Sequence, residues 1–207
     1  MKITILIDND SWIIPYGKIL NKKILEMGHN SSIVYNQKNI KEGDLLILMG
    51  CVKIFKNLSL NKNNIVIHES DLPKGKGWSP LTWQILEGKN KIPITLFEAT
   101  NKIDSGKIYI RDVINFEGHE LIDEIKNRQG LKTIEIVLKY INENPIGKLQ
   151  IGNSTFYKKR KPVDSELDVN KSILEQFQLL RVCHNEDYPA FFKIGEQKYY
   201  INIFKNI

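Results

Sequence analysis

Three apolar runs constrain this chain more than any other feature of it: residues 3–7 (ITILI), 44–50 (DLLILMG) and 65–68 (IVIH). A strand with one wet face alternates apolar and polar side chains. These runs do not alternate, so each predicts a strand covered on both faces, as in a parallel sheet between layers. After the first run, Pro15 opens a helical pattern with Ile19, Leu20, Ile24 and Met27 inward and Gly28 at its close, and SSIVYN (31–36) reads as a further strand. The expectation is an α/β fold with a Rossmann-like sheet sandwiched by helices. The first strand runs into DNDSWIIP rather than a glycine fingerprint, and no Walker-type loop occurs, so neither a dinucleotide nor a P-loop nucleotide is indicated.

Past His68, SPLTWQILEG (79–88) predicts a helix begun by Ser79, with Pro80 in its first turn and Gly88 ending it. PITLFEA (93–99) and KIYIRDVI (107–114), joined by TNKIDSG (100–106), alternate as a hairpin does, which makes the sheet mixed but mostly parallel. Residues 121–141 predict a helix interrupted near Gly130, with Pro145 terminating its last turn. Beyond it, KLQIGNSTFYKKRKP (148–162), a helix carrying Ile173, Phe177 and Leu180, and YPAFFKIGEQKYYINIF (188–204) suggest a small α+β appendage. The expected units are 1–145 and 146–207.

With 207 residues, 42% of them apolar, the chain suits one domain with a small appendage. No apolar run approaches the ~18 residues that cross a bilayer, and the amino terminus lacks the pattern of a signal peptide. The expectation is a cytoplasmic protein with no membrane partner. Cys51 and Cys183 stand in no metal or redox spacing, so both are expected to be buried thiols, and no metal site is expected. The net charge of +6 comes from 30 lysines and arginines, of which four are arginine (Arg111, Arg128, Arg160, Arg181), spread along the chain. That spread fits a small anionic ligand or a solvated surface as well as nucleic acid, and no nucleic-acid partner is assigned. A homodimer is left open.

Two groups sit where α/β sheets hold ligands: His68 at a strand end and Asp104 in the IDSG turn. A histidine there can serve as acid or base, with a nearby carboxylate holding its tautomer. Taken alone, a histidine beside a strand is more often structural, and Asp before Ser-Gly is an ordinary turn.

The longer pattern decides between these. HESDLPKGKGWSPLTWQILEG (68–88) followed by ITLFEATNKIDSGKI (94–108) resembles the folate-dependent formyltransferase family, whose signature is His-Pro-Ser-x-Leu-Pro-x-x-x-Gly, a helix, and a distant Asp-x-Gly. His68, Ser70, Leu72, Pro73 and Gly77 fall in register, as do Asp104 and Gly106. The resemblance implies the formyltransferase fold and transfer of a formyl group from 10-formyltetrahydrofolate to an amine, without a metal. It implies that His68 polarises the formyl oxygen or relays a proton, and that Asp104 keeps it protonated and orders a water. The pterin would lie against Val52, Lys53, Ile54 and Phe55 and the turn of Thr100, Asn101 and Ile103.

The chain departs from the pattern in three places. The family's asparagine two positions before the histidine is Val66 here, and Asn64, about 7 Å further back along a strand, is too far to replace it. Losing one such donor costs about 2.7–4 kcal/mol, which leaves an enzyme feasible on His68 and a backbone N–H. Glu69 replaces the usual proline and Pro93 the usual glycine.

RKPVDSELD (160–168) and LLRVCHNEDYPAFF (179–192) resemble the appendage of the sugar N-formyltransferase branch. The implied acceptor is a nucleotide-linked amino sugar, of the UDP-4-amino-4,6-dideoxy type, in a cell-surface glycan or flagellin glycosylation pathway. Lys74, Lys76, and Arg160 or Arg181 are candidates for its diphosphate. Trp78, Trp83, Tyr188, Phe191 and Phe192 are candidates for stacking, with Trp83 and one phenylalanine better suited to the core. Ser70 and Glu69 are further acceptor-side candidates, Glu69 for a hydroxyl or the ammonium. The alternatives are another small amine acceptor, or an idle relative that binds folate or nucleotide sugar.

Overall fold

The computed structural model describes residues 1–206; Ile207, last in the expected carboxy-terminal unit, lies outside the described residues. The elements are β1 (Lys2–Leu6), α1 (Ile14–Glu26), β2 (Asn30–Val34), β3 (Gly43–Leu48), β4 (Asn61–His68), β5 (Lys76–Gly77), α2 (Pro80–Leu86), β6 (Lys91–Glu98), β7 (Ile108–Asn115), α3 (Ile122–Glu143), β8 (Phe156–Tyr157), α4 (Phe177–Val182), β9 (Ala190–Ile194) and β10 (Gln197–Ile201). Six strands form one sheet in the order β2-β1-β3-β4-β6-β7, with β2, β1, β3, β4 and β7 running one way and β6 alone running against them.

The apolar runs lie in the interior of this sheet. Ile3, Ile5, Leu45, Ile47 and Ile65 face Leu20 and Ile24 of α1, Leu81 and Ile85 of α2, and Ile134 and Val137 of α3. Leu6, Leu46 and Leu48 point to the opposite face, under Ile40, Phe55, Leu58 and Leu60. The three helices therefore share one face. The other is closed by loop segments and the single 3-10 turns Gln37–Asn39 and Leu58–Leu60. Burying each such aliphatic side chain contributes about 1.5–3 kcal/mol, so both faces of the runs carry stability.

Pro93 stands inside β6, a central strand. β4 pairs with β6 only from His68↔Thr95 to Ile65↔Glu98, so Pro93 lies beyond the end of β4 and its missing N–H is not called on by that neighbour. The end of β4 at His68 leaves room beside β6 for the segment that follows. That segment is tied down by Thr95 Oγ1, which donates to the Ser70 carbonyl at 2.6 Å.

Helix α3 is not interrupted near Gly130; it runs unbroken from Ile122 to Glu143. The glycine serves packing: a Cβ there would overlap the ring of Tyr16 on α1, whose hydroxyl donates to Asn127 Oδ1 at 3.0 Å. Ser79 occupies the N-cap position of α2 in a left-handed conformation (φ 47°) and makes no side-chain cap, so Pro80 in the first turn sets the start.

After Pro145 the chain returns to the sheet. Ile108 and Lys148 exchange backbone hydrogen bonds of 2.7 and 2.8 Å, and β8 pairs in parallel with β5. β9 and β10 form a hairpin over a small core of Leu167, Leu180, Cys183 and Ala190, against which Phe192 packs. Arg181 of α4, 0% exposed, bonds the Glu120 carboxylate at 2.9 Å, the Glu120 carbonyl at 3.0 Å and Asn90 Oδ1 at 3.0 Å. Arg128 reaches the other Glu120 oxygen at 3.1 Å.

Gly130→Ala is expected to lower unfolding free energy by about 1–3 kcal/mol through overpacking, even though alanine is the better helix former. A gain in urea midpoint would mean that the α1–α3 contact yields freely. Arg181→Met leaves Glu120 buried with Arg128 at the rim as its remaining cation beside the amides of Glu117 and Gly118, at an expected cost of about 3 kcal/mol. The loss should show in the same melts, with the kinetics of the folded protein unchanged.

Candidate active site

A cavity of about 780 Å³ opens around the end of β4. Its walls come from the 50–55 loop, His68 and Glu69, the hairpin turn after β6, one stripe of α3 (Ile122, Lys126, Gln129, Thr133), and the segments 156–160 and 182–188. The α3 residues recur at helical spacing, so a single face of that helix lines the cavity.

His68 is 7% exposed, with its ring edge-on to Phe97. Its Nε2 lies 2.9 Å from the Gly75 carbonyl and 3.8 Å from Asp104 Oδ2. A carbonyl only accepts, so Nε2 carries the hydrogen, and in the neutral ring Nδ1 holds the lone pair. Asp104 Oδ2 also accepts from the Gly77 amide at 2.9 Å. Gly77 has φ +97°, and a Cβ there would meet the Tyr157 carbonyl at 2.5 Å, which is why glycine is required where this amide turns toward Asp104.

Asp104 itself has φ +46°, a conformation that costs a non-glycine residue about 1–3 kcal/mol and persists only where neighbours enforce it. Gln150 Nε2 donates to the carbonyls of Asp104 (3.0 Å) and Gly106 (2.9 Å). Lys76 Nζ donates to Ser105 Oγ at 2.9 Å, and that hydroxyl donates to the Ile103 carbonyl at 2.7 Å. On the other side of His68, Gln84 Nε2 donates to the Glu69 carbonyl at 2.6 Å. A partly buried histidine with a carboxylate beside its N–H, at the wall of a cavity, can polarise a carbonyl oxygen or pass a proton.

Val52, Lys53, Ile54, Phe55, Thr100 and Ile103 all line the cavity. The 50–55 loop is held by Asp8, whose oxygens accept from the amides of Val52 (2.8 Å) and Lys53 (3.1 Å), and by Asn9 Nδ2, which donates to the Gly50 carbonyl at 2.8 Å. Sequence reasoning took the DND following the first strand only as the absence of a glycine fingerprint. Its signal was there: two short polar side chains at the carboxyl end of a buried strand. Cys51 is half-buried rather than fully buried and also lines the cavity. Burial, with Asp8 nearby, pushes its thiol up to about 12, so it is unreactive. Val66 faces the cavity with no donor, and Asn64 is occupied elsewhere, its amide donating to the carbonyls of Leu58 (2.8 Å) and Asn61 (3.3 Å).

Glu69, Trp78, Arg160 and Tyr188 line the remaining wall. Gln129 Nε2 donates to Glu69 Oε1 at 2.8 Å, and loss of water pushes the Glu69 carboxyl above its ordinary range. Arg160 donates to the Val182 carbonyl at 3.1 Å and to Ser165 Oγ at 3.0 Å. Lys159 Nζ lies 4.8 Å from the Trp78 ring centroid. Lys126, Lys159 and His184 join this wall and were missed, because nothing in their local sequence separates them from surface cations. Burial holds Lys126 below its ordinary value against the opposing pull of Asp123 and Asp187.

Eight expected residues do not line the cavity, Phe192 among them, packed instead against the carboxy-terminal core. Lys76 is buried and braces the Asp104 turn; Lys74 projects outward from the turn closed by its amide on the Asp71 carbonyl; Asn101 lies on the outer side of the hairpin turn. Ser70 is 1% exposed beneath the loop. Arg181 is consumed by Glu120, and Phe191 is buried with Lys198 Nζ 3.7 Å from its ring centroid. Trp83 is structural, donating Nε1–H to the Lys158 carbonyl at 2.8 Å. Among the described residues no group of three His, Cys, Asp or Glu side chains is placed to hold a metal ion, and no helix is long and apolar enough to cross a membrane.

Residues 13–139 match the formyl transferase family. Over 145 residues the chain is 24% identical to GDP-perosamine N-formyltransferase of Brucella melitensis, covering 68% of this chain and 56% of that protein. Among solved structures it is similar to methionyl-tRNA formyltransferase from Clostridium thermocellum, with a TM-score of 0.81 and 22% identity over 96% of this chain and 90% of that one. It is also similar to a 4-N formyltransferase from Francisella tularensis, with a TM-score of 0.71 and 18% identity over 100% and 98% of the two chains. The chain spans 21% of the length of one curated relative, the bifunctional polymyxin resistance protein ArnA of Wigglesworthia glossinidia brevipalpis, and 56% of the Brucella protein. The structural likenesses carry the shared mixed, mostly parallel fold, and the match over residues 13–139 carries the lineage. The chain belongs to the formyl transferase family.

Proposed function

We propose that this protein transfers the formyl group of 10-formyltetrahydrofolate to the amine of a nucleotide-linked amino sugar. The observation that carries the reading is the placement of His68, braced by Gly75 and Asp104, between two unlike walls of one cavity. The 50–55 loop and the turn around Ile103 offer backbone groups and exposed apolar side chains suited to a flat pterin: Val52, Ile54 and Ile103 are 47%, 54% and 56% exposed. The opposite wall offers Lys126, Lys159 and Arg160 for a diphosphate, with Trp78 and Tyr188 for a base or sugar face.

When bound, the folate supplies an activated formyl group. With Nε2–H held by Gly75 and Asp104, His68 acts on the formyl oxygen through Nδ1, which donates there when the ring carries its second proton. Asp104, 3.8 Å from Nε2, fixes the orientation of the ring. The Val66 side chain excludes water without donating, so stabilisation of the oxyanion falls to His68 and backbone N–H groups. A UDP-4-amino-4,6-dideoxy sugar is the finer reading of the acceptor, with the product entering a surface glycan, and the Brucella relative that acts on GDP-perosamine supports a sugar amine in general. The similarity to a methionyl-tRNA formyltransferase keeps an aminoacyl-tRNA acceptor as the second reading.

The test is incubation with 10-formyltetrahydrofolate and a panel of UDP-, dTDP- and GDP-linked amino sugars beside methionyl-tRNA, with mass detection of formyl gain. Formylation of the tRNA alone refutes the sugar reading. His68→Asn and Asp104→Asn are each expected to lower single-turnover rates about 10²–10⁴-fold, with nucleotide binding and melting temperature little changed. The double variant should be scarcely worse than His68→Asn, because the two act as a unit. A double loss equal to the product of the single losses would refute the paired mechanism.

A further inference from the structure

Glu69 is a carboxylate in the wrong company for a purely structural group. It follows His68 directly and lines the cavity, and among the described residues no lysine or arginine pairs with it. Its one hydrogen bond from another residue is from a neutral amide, Gln129 Nε2 to Oε1 at 2.8 Å. Glu69 is half-buried, and a carboxylate drawn partly out of water with no cation in contact is costly unless something else completes it. The acceptor in the proposed reaction is an amine, which arrives at neutral pH as an ammonium ion. It brings the contacting cation that Glu69 lacks, and it must lose a proton before it can attack.

We infer that Glu69 binds the acceptor ammonium through the oxygen that Gln129 leaves free and takes its proton, making Glu69 the catalytic base that readies the amine. The inference rests on the formyl-transfer reading and assigns it a further residue. The balance is complete. One N–H bond of the ammonium breaks and its proton moves to the Glu69 carboxylate; the freed lone pair forms the N–C bond to the formyl carbon while the carbonyl π pair moves to oxygen. On collapse the bond to the folate nitrogen breaks, and that nitrogen takes the second proton lost by the acceptor. Glu69 then returns its proton to water.

The neighbouring groups leave this role to Glu69. His68 Nε2–H is committed to Gly75 and Asp104, and the ring serves the formyl oxygen. Asp104 Oδ2 is occupied by the Gly77 amide. From α3, Gln129 is neutral and Lys126 is a cation; from α2, Gln84 bonds only the Glu69 backbone; from the carboxy-terminal wall, His184 and Asp187 face the same cavity. Burial raises the Glu69 carboxyl, His68 and Gln129 oppose the rise, and Asp104 adds to it. A raised carboxyl is the better proton acceptor, matched more closely to the amine it must deprotonate.

The experiment is a pH–rate profile of kcat/KM for wild type, Glu69→Gln and Glu69→Asp, using whichever acceptor in the panel, sugar or tRNA, the wild type formylates. In the wild type kcat/KM should fall as pH drops through the Glu69 pKa, above the ordinary glutamate range, because the protonated acid cannot take a second proton. Glu69→Gln should lose about 10²–10⁴-fold at neutral pH and recover about tenfold per pH unit toward the pKa of the amine, as free amine becomes abundant without a base. Glu69→Asp should keep an acid limb at reduced rate, which covers the case of a glutamine variant that folds poorly. A Glu69→Gln profile parallel to wild type, or a loss confined to melting temperature, overturns the inference. If tRNA rather than a sugar is the acceptor, the same profiles still decide the role of Glu69 while the sugar reading falls. A wild type that formylates nothing overturns both.

Discussion

Everything chemical in this molecule depends on where β4 stops. The strand ends at His68, and the chain then doubles back so that the Gly75 carbonyl meets the imidazole and the Gly77 amide meets Asp104. Two backbone groups two residues apart thus set both members of the pair. The arrangement requires that the doubled-back segment approach the returning chain closely, and β5, formed from Lys76 and Gly77, does so by pairing with β8. The site is therefore built at the carboxyl end of an interior strand, beside a separate two-stranded ladder. Backbone hydrogen bonds hold a geometry that side-chain packing alone would leave loose.

The consequence is that the part of the chain after Pro145 braces the His68–Asp104 pair as well as forming the far wall of the cavity. Gln150 holds the strained Asp104 turn through two carbonyls, and Thr155 Oγ1 accepts from the Gly75 amide at 2.8 Å. These contacts cross from one expected unit to the other. The far wall of the cavity and the His68–Asp104 pair share the same supporting segment.

The cations show how differently one residue type is used. Lys76 and Arg181 are buried and spend their donors on Ser105 and on Glu120, whereas Arg160 divides its donors between the Val182 carbonyl and Ser165 while still facing the cavity. Lys126 and Lys159, undistinguished in the sequence, stand at that cavity. A net charge of +6 carries none of this information, since it sums groups whose electrostatic roles are set by burial and by nearby carboxylates.

The sequence by itself determined the parallel strands, because unbroken apolar runs fit only strands covered on both faces. It also determined the hairpin of β6 and β7, whereas His68 and Asp104 were singled out by resemblance to the formyltransferase pattern, and only the fold brings them to 3.8 Å. Gly130 was misread as a break because its purpose, the ring of Tyr16 more than a hundred residues earlier, is invisible in its own neighbourhood. For the same reason Asp8 beneath the 50–55 loop, the α3 stripe of Lys126 and Gln129, and the partner of Glu69 emerged only with the tertiary structure. Local sequence fixes backbone preference and periodicity. Which polar side chain meets which, and which cation is left facing a ligand, is decided by contacts between segments far apart in the chain, and these exist only once the apolar faces have chosen their partners.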